Sequence, residues 1–151
     1  MAEKNFGAAF YIADPAAPTG PLEKAAEVLS VKAPSLTRGT IDTTTHDSVD
    51  GIMEFIGEGV ADPGELTVQV HRVPGSETDD LFLRAVASGL NLPMKVTSNG
   101  RKNDGTPQKM QTAGIGIVTG YEPDDQPVQG KQAATLTVKA SGKWIQGPFA
   151  A

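Results

Sequence analysis

Two histidines and many carboxylates are the residues in this sequence whose chemistry could support catalysis or metal binding. His46 precedes Asp47, as in a metal ligand or an acid–base pair, but His71 lies 25 positions away and no further ligand stands at helical or hairpin spacing. The carboxylates are scattered among glycines, without an apolar pocket to raise a pKa and without the calcium-loop pattern. This pattern predicts surface or tertiary roles for these residues, no bound metal and no enzymatic activity.

One glycine-rich segment has the beginning of a nucleotide-binding motif. The run from Gly114 to Thr119 reads Gly-Ile-Gly-Ile-Val-Thr, which lacks the third glycine of a dinucleotide loop and opens no helix. Glycine within a strand instead allows a close backbone approach or a bend. The chain contains no cysteine, which excludes a disulfide framework, a thiolate nucleophile and a cysteine-ligated metal. We therefore expect no cofactor.

Charge is distributed unevenly along the 151 residues. The net charge of −5 disfavours a sequence-reading DNA-binding protein, because such proteins present a basic face. Between Arg38 and Arg72 there is no lysine or arginine, whereas Arg101, Lys102 and Lys109 flank a later loop. Complementary ends that steer head-to-tail stacking and ordinary solvated loops explain this pattern equally well. The acidic residues of the first segment are Asp42, Asp47, Asp50, Glu54, Glu58, Asp62 and Glu65.

Length and hydropathy indicate one domain made in the cytoplasm. A chain of 151 residues suits a single domain with one core. No segment approaches the roughly 20 consecutive apolar residues that span a bilayer. Residues 1–7 are polar and charged, unlike the apolar core of a signal peptide. We expect no membrane association.

The pattern of the chain is mostly that of β-strands. Pro15, Pro18 and Pro21 exclude a helix in residues 1–24, which we interpret as an extended N-terminal arm or a disordered terminus. Residues 25–151 form a single domain that includes a long acidic loop at 46–64. Alternation and β-branched residues predict strands at Glu27–Lys32, Gly39–Thr45, Ile52–Ile56, Glu65–Val73, Met94–Thr97, Met110–Tyr121 and Lys131–Ala140, with hairpin loops at Ser98–Pro107 and Glu122–Gly130 and a tail at Gly142–Ala151.

One helix interrupts the strands, at about residues 77–88. Ser76 followed by Asp79 has the spacing of an N-cap, and Gly89 stands where a helix would end. Strands with one face covered by a single helix form a mainly β fold, an antiparallel β-sandwich or half-barrel with one flanking helix. The apolar pairs at helical spacing are Leu81 with Ala85 and Phe82 with Val86.

Several segments between Ala26 and Lys143 occur in a recognisable order. They are the strand Val28–Lys32, the run Gly39-Thr-Ile-Asp-Thr-Thr-Thr-His-Asp-Ser48, the passages Gly57-Glu-Gly and Pro63-Gly-Glu-Leu-Thr-Val-Gln-Val70, the helix Asp79–Ser88 and the segment Leu136–Lys143. This order resembles the lambda-like major tail tube proteins of long-tailed, siphovirus-type bacteriophages. None of these patterns is specific by itself, and the resemblance rests on the order in which they occur together.

The resemblance implies a structural virion subunit, made in the host bacterial cytoplasm, that assembles into stacked, hexameric rings. These rings form the tail tube, a conduit through which double-stranded DNA passes without specific binding. The implied partners are other copies of the chain, a tape measure protein inside the tube, the tail terminator and the tail-tip or distal tail proteins. In that family, the long loop and the N-terminal arm make contacts between rings, which correspond here to 46–64 and approximately to Ala2–Leu22.

The resemblance and the charge pattern together select candidate assembly residues. Phe55 and Ile56 are apolar residues in a polar loop, so they are candidate anchors between rings or part of the subunit's own core. Acids that face the channel would repel DNA phosphate. The Ser98–Pro107 loop is longer and more basic than the family leads one to expect. The full set of candidates is Asp47, Asp50, Glu54, Phe55, Ile56, Arg101 and Lys102.

An alternative interpretation is a monomeric β-sandwich module for binding or decoration. Such a module would be expected to carry a cluster of exposed aromatic residues. The sequence has one tryptophan, Trp144, and two tyrosines, Tyr11 and Tyr121, which lie far apart in the chain. A tube protein of a secretion system would share the tail tube architecture, and the sequence separates the two poorly.

Overall fold

The computed structural model describes residues 6–126 and 128–149. In these residues the chain forms nine strands, one α-helix and one 3-10 turn at Val49–Gly51. The helix α1 spans Glu77–Ser88, as predicted. The strands are Ala9–Ala13 (β1), Leu22–Lys24 (β2), Val28–Lys32 (β3), Thr37–Asp42 (β4), Phe55–Asp62 (β5), Glu65–His71 (β6), Asn91–Arg101 (β7), Pro107–Pro123 (β8) and Ala133–Pro148 (β9).

Seven of these strands form one antiparallel sheet, in the order β2-β1-β7-β8-β9-β6-β3. Laid flat, its two edge strands would lie about 29 Å apart, since adjacent strands are spaced by about 4.8 Å. Only residues 25–27 connect β2 to β3, and four Cα steps of about 3.8 Å reach about 15 Å at most. The sheet must therefore curl, which brings β1 close to β3. The predicted half-barrel with one helix is confirmed.

Strand alternation directs every second side chain into the curl. In β6, Leu66, Val68 and Val70 are buried, whereas Thr67 and Gln69 lie on the outer face and are partly exposed. Burying one large apolar side chain stabilises the fold by about 1.5–3 kcal/mol, so this layer dominates stability. The rest of the core includes Phe10, Ile12, Leu81, Phe82, Ala85, Leu92, Met94, Val96, Val118, Ala134, Leu136 and Val138.

A buried carboxylate joins α1 to the sheet. Asp79 accepts hydrogen bonds from the Tyr121 hydroxyl at 3.0 Å, the Gly75 N–H at 3.3 Å and Arg72 Nε at 3.2 Å. Burial acts to raise the pKa of the Asp79 carboxyl, but the hydrogen bonds outweigh it and hold this pKa below its usual value. Burial and the Asp79 contact raise the pKa of Tyr121 to about 12. The ionised carboxylate thus fixes the first turn of α1 against β8.

The region of the predicted N-terminal arm contributes a core strand. β1 lies between β2 and β7 in the sheet, and Phe10 and Ile12 within it have no exposed surface. The prolines that exclude a helix begin only at Pro15, and the apolar run 8–13 before them is free to join the sheet. Residues 1–5 of the predicted arm lie outside the described residues.

The last two strands continue beyond their predicted ends. Much of the predicted tail forms the second half of β9, which pairs with β8 up to Pro148; residues 150–151 lie outside the described residues. Gly142, with φ of 72°, lies in a register shift between the halves of β9. Within the same shift, Trp144 packs over Gly114, where a Cβ atom would lie 2.5 Å from the indole Cγ. The glycine at 114 therefore allows a close approach, as predicted.

Candidate assembly surface

Residues 37–62 project from the half-barrel as a separate hairpin of β4 and β5, named here the acidic hairpin. Its six carboxylates and one arginine give a formal net charge of −5. None of its residues is buried, and its two strands pair only with each other. A lone two-stranded hairpin is marginally stable in water, and an exposed apolar patch indicates an interaction surface. The exposed apolar side chains are Ile41, Val49, Ile52, Met53, Phe55, Ile56 and Val60.

The tip of the acidic hairpin is held by local hydrogen bonds. Glu54 N–H donates to Thr44 Oγ1 at 2.7 Å, and Thr43 N–H donates to the Glu54 carbonyl at 2.8 Å. The Thr44 N–H also donates to Asp42 Oδ1 at 2.8 Å, and hydrogen bonds from Thr44 lower the pKa of Asp42. The predicted loop at 46–64 is therefore an ordered turn followed by β5.

The root of the acidic hairpin is fixed to β9. Gly64 has φ of 85°, and a Cβ atom there would lie 2.6 Å from the Ser35 carbonyl oxygen, so this position requires glycine. Its carbonyl accepts a hydrogen bond from Ala140 N–H at 3.1 Å. Asp62 accepts from Gly64 N–H at 2.9 Å and pairs with Lys139 Nζ at 3.6 Å. The hydrogen bond from Gly64 N–H lowers the pKa of Asp62 most, and the positive charge of Lys139 lowers it further.

Residues 95–116 and 139–149 form a surface of opposite charge, named here the basic end. Their six cations and one carboxylate give a formal net charge of +5. The turn between β7 and β8 is tight, because Lys102 N–H donates to Thr106 O at 2.9 Å and Arg101 Nη1 to Gly105 O at 3.0 Å. The predicted hairpin is confirmed, although β7 and β8 extend into the segment that was predicted as a loop. The cations are Lys95, Arg101, Lys102, Lys109, Lys139 and Lys143.

A shallow groove crosses the outer face of β8 and β9 within the basic end, named here the isoleucine groove. Ile115 is 48% exposed and Ile145 is 64% exposed. Trp144 supports the strands from the opposite face, where its Nε1–H donates to the Ile115 carbonyl at 3.1 Å. The groove combines apolar walls with a basic rim. Its lining residues are Gln111, Ala113, Gly114, Ile115, Ser141, Gly142, Lys143, Ile145 and Gly147.

Cation–π contacts between lysines and aromatic rings hold the end of β9 in place next to this groove. Lys95 Nζ lies 4.8 Å from the centroid of the Tyr11 ring and 4.7 Å from that of Phe149. Lys109 Nζ lies 4.9 Å from the same Phe149 ring. Sequence reasoning missed this cluster because Tyr11 and Phe149 stand at opposite ends of the chain, and it missed the groove because Ile145 was assigned to a tail.

The acidic hairpin and the basic end emerge from the same end of the half-barrel. Because each pairing in the sheet is antiparallel, β3, β7 and β9 run one way while β6 and β8 run the other. The hairpin leaves after β3 and returns at β6, where Glu65 pairs with Lys139 and Lys139 pairs with Ile117, so in the register of the sheet its root lies two residues from Ile115 and ten from Pro107 at the β7–β8 turn. In a stack of identically oriented copies, these two charged surfaces would therefore not face each other across the junction.

The predicted assembly residues are all at the surface of the subunit. Asp47, Asp50 and Glu54 are exposed at the tip of the acidic hairpin. Phe55 and Ile56 are 53% and 54% exposed at the start of β5, so neither belongs to the core of the subunit. Arg101 and Lys102 are exposed in the β7–β8 turn.

The remaining chemical candidates lie apart. His46 is exposed at the hairpin tip, whereas His71 is partly buried at the end of β6. Within residues 6–126 and 128–149, no group of three or more histidine or carboxylate side chains lies close enough together to hold a metal ion. The described helix is too short and too polar to cross a membrane.

Neither a protein-family model nor a curated protein matches the sequence. The fold, by contrast, recurs in solved structures. The tail of an empty gene transfer agent (GTA) particle, refined with C6 symmetry, has a TM-score of 0.71 at 16% identity and covers 99% of this chain and 100% of its own. The SPP1 tail tube has a TM-score of 0.66 at 12% identity, over 98% of this chain and 81% of that chain. Hcp1 from E. coli EAEC 042 has a TM-score of 0.57 at 10% identity, over 93% and 97%. The chain therefore has the fold of phage tail tube proteins.

Proposed function

We propose that this chain is the structural subunit of a phage-type tail tube and assembles with copies of itself into stacked rings. The acidic hairpin is the observation that carries the proposal. A hairpin with seven exposed large apolar side chains and no buried residue contributes little to the stability of the subunit. Burial against other copies would make it an assembly element. Asp47, Asp50, Glu54, Phe55, Ile56, Arg101 and Lys102 are the residues proposed to mediate that assembly.

A hexameric ring is consistent with the dimensions of such strands. If six subunits each contribute four strands, a spacing of about 4.8 Å and a tilt of about 40° imply a barrel roughly 45–50 Å across. After side chains are allowed for, a channel of roughly 40 Å would admit duplex DNA. The C6 symmetry of the GTA tail supports the same ring size.

The outer face of β6 and the first half of β9, away from the isoleucine groove, suits a channel wall that does not bind DNA. Its central rows carry Thr67, Gln69, Thr135 and Thr137, which are uncharged. Neutral side chains form no ion pairs with phosphate, so DNA could pass without specific binding. In the virion, the proposed partners are a tape measure protein inside the tube and the tail terminator and tail-tip proteins at its ends. The proposed role is structural rather than enzymatic.

Electron microscopy of purified protein over a range of concentrations tests this proposal. We expect rings or tubes with a central channel, alone or with tail-tip complexes. The double variant Phe55→Ser and Ile56→Ser should remain folded and monomeric. Leu83→Ser is a matched control, because Leu83 is 46% exposed on α1, away from the acidic hairpin, and its loss should leave assembly intact. Compact monomers under all conditions would instead favour a β-sandwich binding or decoration module.

A further inference from the structure

We propose that the isoleucine groove of each subunit receives the acidic hairpin of the neighbouring subunit in the same ring. This inference rests on the proposed function and names the surface that covers the hairpin. It differs from the expectation that the long loop connects successive rings.

The acidic hairpin and the isoleucine groove lie at the same end of the fold. The acidic hairpin leaves from β3 and β6, at one edge of the sheet, whereas the groove lies on β8 and β9 at the same end of the half-barrel. In a ring of identically oriented subunits, the hairpin root of one subunit and the groove of the next therefore lie at the same height. A hairpin that extends sideways reaches the groove without leaving the ring.

The two surfaces carry opposite charges. The acidic hairpin carries −5 and the basic end +5, so the two surfaces are complementary in sign and equal in magnitude. The opposite end of the half-barrel, which the next ring would present, carries Glu122, Asp124 and Asp125 against one cation, Lys131, around the turn between β8 and β9, a formal net charge of −2. Like charges there would repel a hairpin that crossed between rings.

Both surfaces also present exposed isoleucine side chains. Ile41 and Ile56 are directly opposite each other in the β4–β5 pairing, and both are about half exposed. Ile115 and Ile145 form the matching apolar walls of the groove, and Gly142 beside them, where an added Cβ would meet no atom within 4 Å, leaves space for an inserted side chain. Contacts of this kind supply affinity at the centre of an interface, while the lysines at the rim supply orientation.

Thiol crosslinking in assembled tubes tests the contact. The chain has no cysteine, so the double variant Ile56→Cys and Ile145→Cys offers only two thiols to a short bismaleimide, which does not need disulfide geometry. We expect a ladder of crosslinked species on denaturing gels that stops at the number of subunits in one ring. Ile56→Cys with Gln129→Cys, in the turn at the opposite end, is the control and should stay monomeric on the gel.

The outcomes separate this inference from the proposed function. If the variant with Ile56→Cys and Gln129→Cys gives crosslinked species larger than one ring, the hairpin bridges successive rings. That result would overturn the inference but not the proposed function. The inference would also be overturned if the variant with Ile56→Cys and Ile145→Cys formed tubes but did not crosslink. Failure of the wild-type chain to form rings or tubes would overturn the proposed function itself, and the inference with it.

A charge exchange provides a second measurement. Lys143→Glu at the groove rim and Glu54→Lys on the hairpin should each raise the concentration needed for assembly, by about fivefold at most for a solvent-exposed pair. Both changes in the same chain should recover much of the loss, because the reversed charges attract again. If the double variant assembles less readily than either single variant, the two residues do not face each other.

Discussion

The core strand β6 and the acidic hairpin both contain β-branched apolar residues but have opposite surroundings. In β6, Leu66, Val68 and Val70 are at most 1% exposed, whereas Ile41 and Val60 in the hairpin are 48% and 83% exposed. β6 pairs with neighbours on both edges and has one face in the curl, whereas the hairpin has no covering layer. β-branched apolar residues in strands are thus buried in one region and exposed in the other. One region stabilises the subunit, and the other remains available for assembly.

The largest expected difference is in the free energy of unfolding, between the loss of an apolar side chain in the core and the same loss in the acidic hairpin. Phe82→Ala should lower the free energy of unfolding by about 4 kcal/mol, because it opens a cavity in the core. Ile56→Ala should change it by less than about 0.5 kcal/mol, since that side chain is half exposed in the subunit. Urea unfolding of dilute monomer measures both values. A large loss for Ile56→Ala would mean that the hairpin supports the fold.

The buried carboxylate at position 79 should give the next largest effect. Asp79→Asn should cost about 1–3 kcal/mol at neutral pH, because charged hydrogen bonds are weakened. The pKa of Asp79 is lower in the folded protein than the ordinary 3.8. Its stabilising contribution is therefore present above the ordinary pKa and is lost as pH falls through the folded pKa. The wild type should lose more stability than the variant between about pH 5 and about pH 2.

Urea unfolding at several pH values in that range makes the comparison. Asp104→Asn is the matched control, because Asp104 lies in the exposed β7–β8 turn, where the Thr106 N–H lowers its pKa. Its effect on acid sensitivity should be smaller than that of Asp79→Asn. If the two variants respond alike to acid, the buried contacts of Asp79 do not link stability to pH.

Two glycines with similarly close neighbours should respond differently to alanine. A Cβ at Gly114 would lie 2.5 Å from the Trp144 ring, and one at Gly39 would lie 2.6 Å from the Glu58 carboxylate. The indole is packed against the core and cannot yield, so Gly114→Ala should cost about 1–3 kcal/mol. Glu58 is exposed and can rotate away, so Gly39→Ala should cost less than about 0.5 kcal/mol. Thermal unfolding of both variants checks the difference, which equal costs would contradict.

The smallest effect on stability is expected at the hairpin tip. Thr44→Val removes the hydroxyl that accepts the Glu54 N–H, and water can replace this bond because the site is exposed. The free energy of unfolding should change by less than about 0.5 kcal/mol. Amide exchange at Glu54 should nevertheless become faster, because the tip opens more often. Thr135→Val, on the outer face of β9, is the control and should leave exchange at Glu54 unchanged.

Local signals in the sequence determined the helix and the alternating strands. Ser76, Asp79 and Gly89 mark both ends of α1, and each acts on backbone groups within a few positions. The alternation in β6 and in the first half of β9 follows from a two-residue period that needs no partner to be recognised. The separation of acidic and basic segments is likewise a property of the sequence itself.

Tertiary structure decided which apolar residues are covered and which charges lie together. Phe10 is buried because the pairing of β1 with β7 places it on the inner face of the curled sheet, and Ile56 is exposed because no layer covers its hairpin. The antiparallel order of the sheet places the acidic hairpin and the basic end at one end of the half-barrel, and the pairing of β9 with β8 creates the isoleucine groove. These features depend on pairings between distant segments, and the free energy of such pairings comes from the whole core rather than from any local pattern.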